Sequence, residues 1–256
     1  MAAPETPDSR LFDKLDRDEF DSDRLLRGLT GPFSVVGAIL RAPGALIRDL
    51  GGDRNLSRYS ASLILTTMLF SAAYGSILGL FEPGVQTLYA AAKLPLVVVG
   101  TAMLCTPTFY VFNAILGSPF TFRQAATAIL FLSASTALVL LAFAPIAWFF
   151  TVSTGGRGFL TFFHLLIFVV AAGYGMRSLN QARRYLAHVD RTRISIHGGF
   201  LFLWFLIVLF VALQMAYYLR PFLEPLPDHR FFTGERGLFF DVFSLPTAGA
   251  RTGSLD

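Results

Sequence analysis

Arg177-Ser-Leu-Asn-Gln-Ala-Arg-Arg-Tyr-Leu-Ala-His-Val-Asp-Arg-Thr-Arg193 carries Arg177, Arg183, Arg184, Arg191 and Arg193 against a single acid, Asp190. An apolar run flanks it on each side, residues 159–177 and 198–219. Each run is close to the ~20 residues that a helix needs to cross a hydrocarbon layer. Both are apolar all round rather than along one stripe, and a chain of 256 residues cannot supply a soluble core large enough to bury them. They read as membrane spans. A short connection loaded with arginine stays on the cytoplasmic side, so this turn also orients the protein.

Composition agrees. Hydrophobic residues make up 54% of the chain and charged ones 15%, outside the range of soluble domains. From Ser60 to Leu219 the acids are Glu82 and Asp190, so the net charge of +4 comes from loops. No nucleic-acid partner is expected. The amino-terminal Met-Ala-Ala-Pro-Glu-Thr-Pro-Asp lacks a basic stretch followed by an apolar core, so insertion is expected to rely on the first internal span. Cys105 is the only cysteine, which excludes an intrachain disulfide. The excess of arginine over lysine is the usage of a GC-rich bacterial genome, an association that points to a bacterial inner membrane.

Residues 1–30 are charged and poor in apolar side chains, and read as a flexible cytoplasmic arm. Over 31–52, Phe33, Val36, Ile39, Leu40, Leu46 and Ile47 recur at helical spacing, with Arg41 and Arg48 seven apart and a break at Ala42-Pro43. This amphipathic helix either lies in the headgroup region with its arginines toward anionic lipid, or packs under the bundle.

The remainder, 58–220, is expected to be an all-α integral membrane bundle of five transmembrane helices, with spans near 60–81, 93–116, 125–152, 159–177 and 198–219. In span one, Gly75 and Gly79 have the spacing that permits close helix contact. Span two contains Pro107 near its middle, beside Thr106 and Thr108. Such a break either lines a binding site or is a kink satisfied by the threonine hydroxyls. Asn113 is expected to bond a neighbouring helix. Thr121 and Gln124 fit a capping box that starts span three. Span four holds His164, an ionisable group at membrane depth and so a functional candidate, or else a hydrogen-bonded packing residue, since no acid lies in another span. Span five closes on Gln214, Tyr217, Tyr218 and Arg220-Pro221. Residues 221–256 form an aromatic-rich tail expected to fold back onto the rim of the bundle or the lipid, or to bind a partner.

Five spans put the termini on opposite sides. The arginine distribution places the amino terminus in the cytoplasm and the carboxyl terminus outside, with Glu82, Lys93 and Arg157 on the outer face.

The five close spans, the amino-terminal arm and Gly173-Tyr174-Gly175 near the cytoplasmic end of span four resemble the Yip1-like membrane proteins over residues 60–219. The Arg220-Pro221-Phe222 tail resembles a group of uncharacterised bacterial five-span proteins. The resemblance implies a non-enzymatic role in organising membranes or assembling other membrane proteins, and brings no catalytic residues.

Enzyme readings lack support in the residues: the spans show neither a serine–histidine nor a paired-aspartate arrangement, and the histidines are scattered. No cofactor or metal is expected. The lipid bilayer is the first partner, with other membrane proteins or a second copy beyond it. Three functions follow: an accessory or scaffold subunit, a small transporter or channel using the Pro107 break, and membrane shaping or trafficking of the Yip1-like type.

Overall fold

Hydrocarbon offers no hydrogen bonds to a backbone, so each crossing segment must satisfy its own peptide groups, and helices are the solution for chains like this one. The computed structural model describes residues 34–41, 56–115, 117, 121–189 and 198–219, and those residues contain helices and turns but no strand. We number the helices α1 Ser34–Arg41, α2 Leu56–Gly79, α3 Val85–Ile115, α4 Phe122–Ser153, α5 Arg157–Val189 and α6 Gly198–Leu219. Helices α2 to α6 are each long and apolar enough to cross a membrane. The expected five-span, all-α architecture is therefore present.

The ends of the spans follow local chemistry. Gly84, at φ 137°, closes the turn after α2 in a conformation that side chains rarely adopt. Nothing between Val85 and Lys93 breaks a helix, so α3 begins eight residues earlier than the 93–116 expected from sequence. Pro95 consequently lies inside the helix rather than in its first turn. At α4, the backbone N–H of Gln124 donates to the Thr121 hydroxyl at 3.3 Å, and the Thr121 N–H donates to the Gln124 side chain at 2.9 Å. That is the expected capping box. Helix α5 runs past Arg177 to Val189, since Ser178 to Val189 contains no glycine or proline to break it.

α2, α3 and α4 pack on one another and form the centre. On α2, a Cβ added at Gly75 would come 2.5 Å from the Ala90 carbonyl oxygen, and one at Gly79 would come 2.5 Å from the Thr87 Cα. The two glycines thus let the backbones of α2 and α3 nearly touch, and dispersion at that distance replaces the hydrophobic drive that is missing between helices in lipid. α5 lies against α4, where Gly175 faces Leu132 and Thr136. α6 lies against α3, with Trp204 buried beside Phe109 at 4.6 Å between ring centres.

Of the segment expected to form an amphipathic helix, residues 34–41 are described, as α1. Val35, Ala38 and Ile39 of α1 are buried in one cluster with Leu63 of α2 and Phe131 and Ala134 of α4. Leu40 of the same helix is exposed. Arg48 and the rest of the segment lie outside the described residues, as do the amino-terminal arm and the tail after Leu219.

Gly75→Ala and Gly79→Ala should each lower the stability of the detergent-solubilised protein by about 1–3 kcal/mol, the usual cost of overpacking. Gly173→Ala, where a Cβ meets nothing within 4 Å, should be neutral or stabilise by about 0.5–1 kcal/mol. Apparent melting temperatures of the three variants check the contrast.

Candidate functional site

Polar groups at membrane depth are costly unless partnered, so each one that is buried asks for an explanation. The most complete set joins three helices. α2 supplies Tyr74, α4 supplies Thr151 and α5 supplies His164, all buried. The Tyr74 hydroxyl is 2.9 Å from His164 Nδ1, and His164 Nε2 is 3.1 Å from the Thr151 hydroxyl. Thr151 also donates to the Ala147 carbonyl at 2.7 Å. That commits its single proton, so toward the imidazole it accepts. His164 therefore carries its proton on Nε2, and Nδ1 accepts from Tyr74. Tyr74, Phe163 and Phe168 pack edge-on around this group.

Both imidazole nitrogens are occupied by neutral hydroxyls. The arrangement holds three helices in register, and in this form leaves no nitrogen free to take up a substrate proton or a metal. Among the described residues, no group of three or more His, Cys, Asp or Glu could hold a metal ion.

A second set lies on α3, where Gln86, Lys93 and Thr101 are buried. Lys93 is 0% exposed, although sequence reading put it at the outer boundary of span two. The missed signal was the unbroken run from Val85, which carries the lysine about two turns into the helix. Lys93 and Gln86 both engage partners.

The remaining residues singled out from sequence, and the serines of α4 beside them in the chain, do not converge. Pro107 is exposed and Thr108 half-buried, while the Thr106 hydroxyl donates to the Ala102 carbonyl at 2.7 Å within the same helix. α3 continues through Pro107 as one helix with the proline on its outer surface. Asn113 donates to the Phe109 carbonyl of its own helix at 2.7 Å, not to a neighbouring helix as expected, and its Oδ1 has no protein partner. Ser133 donates to Ile129, four residues back, and the Ser135 hydroxyl has no protein partner. Gln214 is half-buried and engaged, near the opposite end of the bundle from Asn113. The Gly-Tyr-Gly triplet splits: Gly173 and Tyr174 are exposed and Gly175 is buried. Arg177 is exposed, and Arg183 and Arg184 continue α5. Arg41 ends α1. Arg191, Arg193 and Arg220 lie outside the described residues.

Removing one partner of the buried imidazole should cost more than removing both. Tyr74→Phe leaves Nδ1 unsatisfied and should destabilise by about 1–3 kcal/mol, while the Tyr74→Phe, His164→Phe double variant should lose less than the sum of the singles. A thermal-denaturation double-mutant cycle reads this coupling, and simple additivity would refute the pairing.

No protein-family model, curated protein or solved structure matches the chain, so its function has to be argued from its own residues and geometry.

Proposed function

We propose that this five-span protein is a non-enzymatic accessory or scaffold subunit that packs against other membrane proteins. The observation that carries the reading is the unequal cover of the spans. In α6, 17% of the span is buried, against 39%, 44% and 44% for α2, α3 and α4. Phe202, Leu203, Leu206, Ile207 and Phe210 line one outward face of it. A polytopic protein whose last span clings to the bundle by one edge offers a long apolar side to a neighbour. The occupied nitrogens of His164 support the non-enzymatic part of the reading.

A Yip1-like role in organising membranes is compatible with this reading and rests on the sequence resemblance. The arginine-rich turn supports an orientation with the amino terminus cytoplasmic and the carboxyl terminus outside, and the bacterial inner membrane rests on the excess of arginine over lysine. The transporter alternative draws no support from Pro107, which is turned outward.

A photo-crosslinking residue placed at Leu206 or Phe210 in native membranes tests the scaffold reading. It predicts a discrete protein adduct from both positions and none from the buried Trp204. Lipid adducts alone, together with a lone monomer in mild detergent, would contradict it.

A further inference from the structure

A glycine inside a helix is less favourable than alanine there, so a glycine at membrane depth calls for a contact that offsets it. At Gly75, Gly79, Gly100 and Gly175 that contact is a neighbouring helix of this chain, since a Cβ added at any of them would come within 3.0 Å of one. Gly173 is different. It is exposed, and a Cβ there would meet nothing within 4 Å, so its notch opens away from the bundle.

The notch belongs to one face of α5. Leu166, Val170, Gly173 and Arg177 follow one another at steps of four, three and four residues, which keeps them on one side of the helix, and all four are exposed. His164, Ile167, Ala171 and Gly175, at the same steps on the other side, are buried.

Arg177 brings a charge to apolar depth on that outer face. Leu179 is buried in one cluster with Leu201 and Trp204 of α6, and Arg177 lies ~3 Å from it along the axis, toward the middle of the span. The guanidinium, which is always charged, therefore starts level with the apolar first turns of α6, where an opposite charge counts for more than in water. Among the described residues the only carboxylate is Glu82. It lies in the turn between α2 and α3, at the end of the bundle where α5 begins, and Arg177 is ~30 Å along α5 from that end.

A headgroup phosphate and a carboxylate on a neighbouring helix both carry the missing charge, and the notch separates them. A flexible acyl chain moulds to any surface and has no use for a glycine, whereas a rigid helix approaches more closely where a side chain is absent. A second copy of this chain in the same orientation would set Arg177 against Arg177, and its described residues hold no carboxylate at that level. The partner that fits is a different chain.

We propose that the Leu166–Arg177 face of α5 docks a transmembrane helix of another protein, which seats its backbone at Gly173 and pairs an Asp or Glu with Arg177. The proposal rests on the scaffold reading and adds to it a second face and the chemistry of the partner.

Energy transfer tests it, between the full-length protein labelled at its amino terminus and an apolar Leu-Ala peptide of ~20 residues, in phosphatidylcholine vesicles at neutral pH. A peptide with one Glu placed level with Arg177 should bind about tenfold tighter than its Gln counterpart, the factor that ~1.4 kcal/mol gives. Arg177→Gln should erase this preference, and Gly173→Leu should weaken both peptides. Equal binding of the two peptides to the wild-type protein, a comparison that needs no variant to fold, would overturn the proposal. So would a Glu preference that persists in Arg177→Gln, or unaltered binding in Gly173→Leu. A preference abolished when phosphatidylglycerol replaces part of the phosphatidylcholine would assign Arg177 to headgroup phosphate and overturn it as well. Crosslinks from Leu206 and Phe210 report a different helix and do not need Arg177, so failure here is distinguishable from failure of the scaffold reading.

Discussion

The absence of water around the greater part of the chain governs everything else in this structure. It forces every crossing segment into a helix, and it makes hydroxyl side chains turn back on their own backbone. Thr67, Ser71, Thr106, Ser133 and Thr136 each donate to a carbonyl four residues earlier in the same helix. These five hydroxyls are thereby satisfied without a neighbouring helix. The polar groups that do reach across helices stand out against that background, and Tyr74, Thr151 and His164 form such a set.

Since lipid tails are as apolar as the side chains, helices here associate through close contact rather than through escape from water. Gly75 and Gly79 bring α2 onto α3, and Gly175 brings α5 onto α4. Where close-contact glycines are fewer, cover is thinner. α6 meets the bundle through Trp204 and the Gly100–Met215 contact and leaves its other side outward. α1 adds to this packing, with its Val35, Ala38 and Ile39 buried against Leu63 of α2 and Phe131 and Ala134 of α4.

Much of the fold was legible because the signals were local. Five all-round apolar runs, the capping box at Thr121 and the unbroken run past Arg177 each specify a helix without reference to any other segment. The Gly75–Gly79 spacing also marked a true contact face. What could not be read was which way a side chain turns once helices pack. Pro107 was open to two readings, a binding site or a kink, and lies on the outer surface. Lys93 looked like a boundary residue and is fully enclosed. A charge at the edge of an apolar run suggested an interface, and the absence of a helix breaker between Gly84 and Lys93 was the stronger signal. The link between Tyr74 and His164 was hidden for another reason: it joins residues 90 positions apart, and no pattern in one sequence reports such a pairing.

The central claim is that the chain crosses a bilayer an odd number of times. With Cys105 replaced by serine, single cysteines at Ser9→Cys and Ser254→Cys can be probed in spheroplasts with a membrane-impermeant maleimide. The account predicts that Ser254→Cys labels in intact spheroplasts and that Ser9→Cys labels only after lysis. Equal labelling of both before lysis, or protection of both, would contradict it.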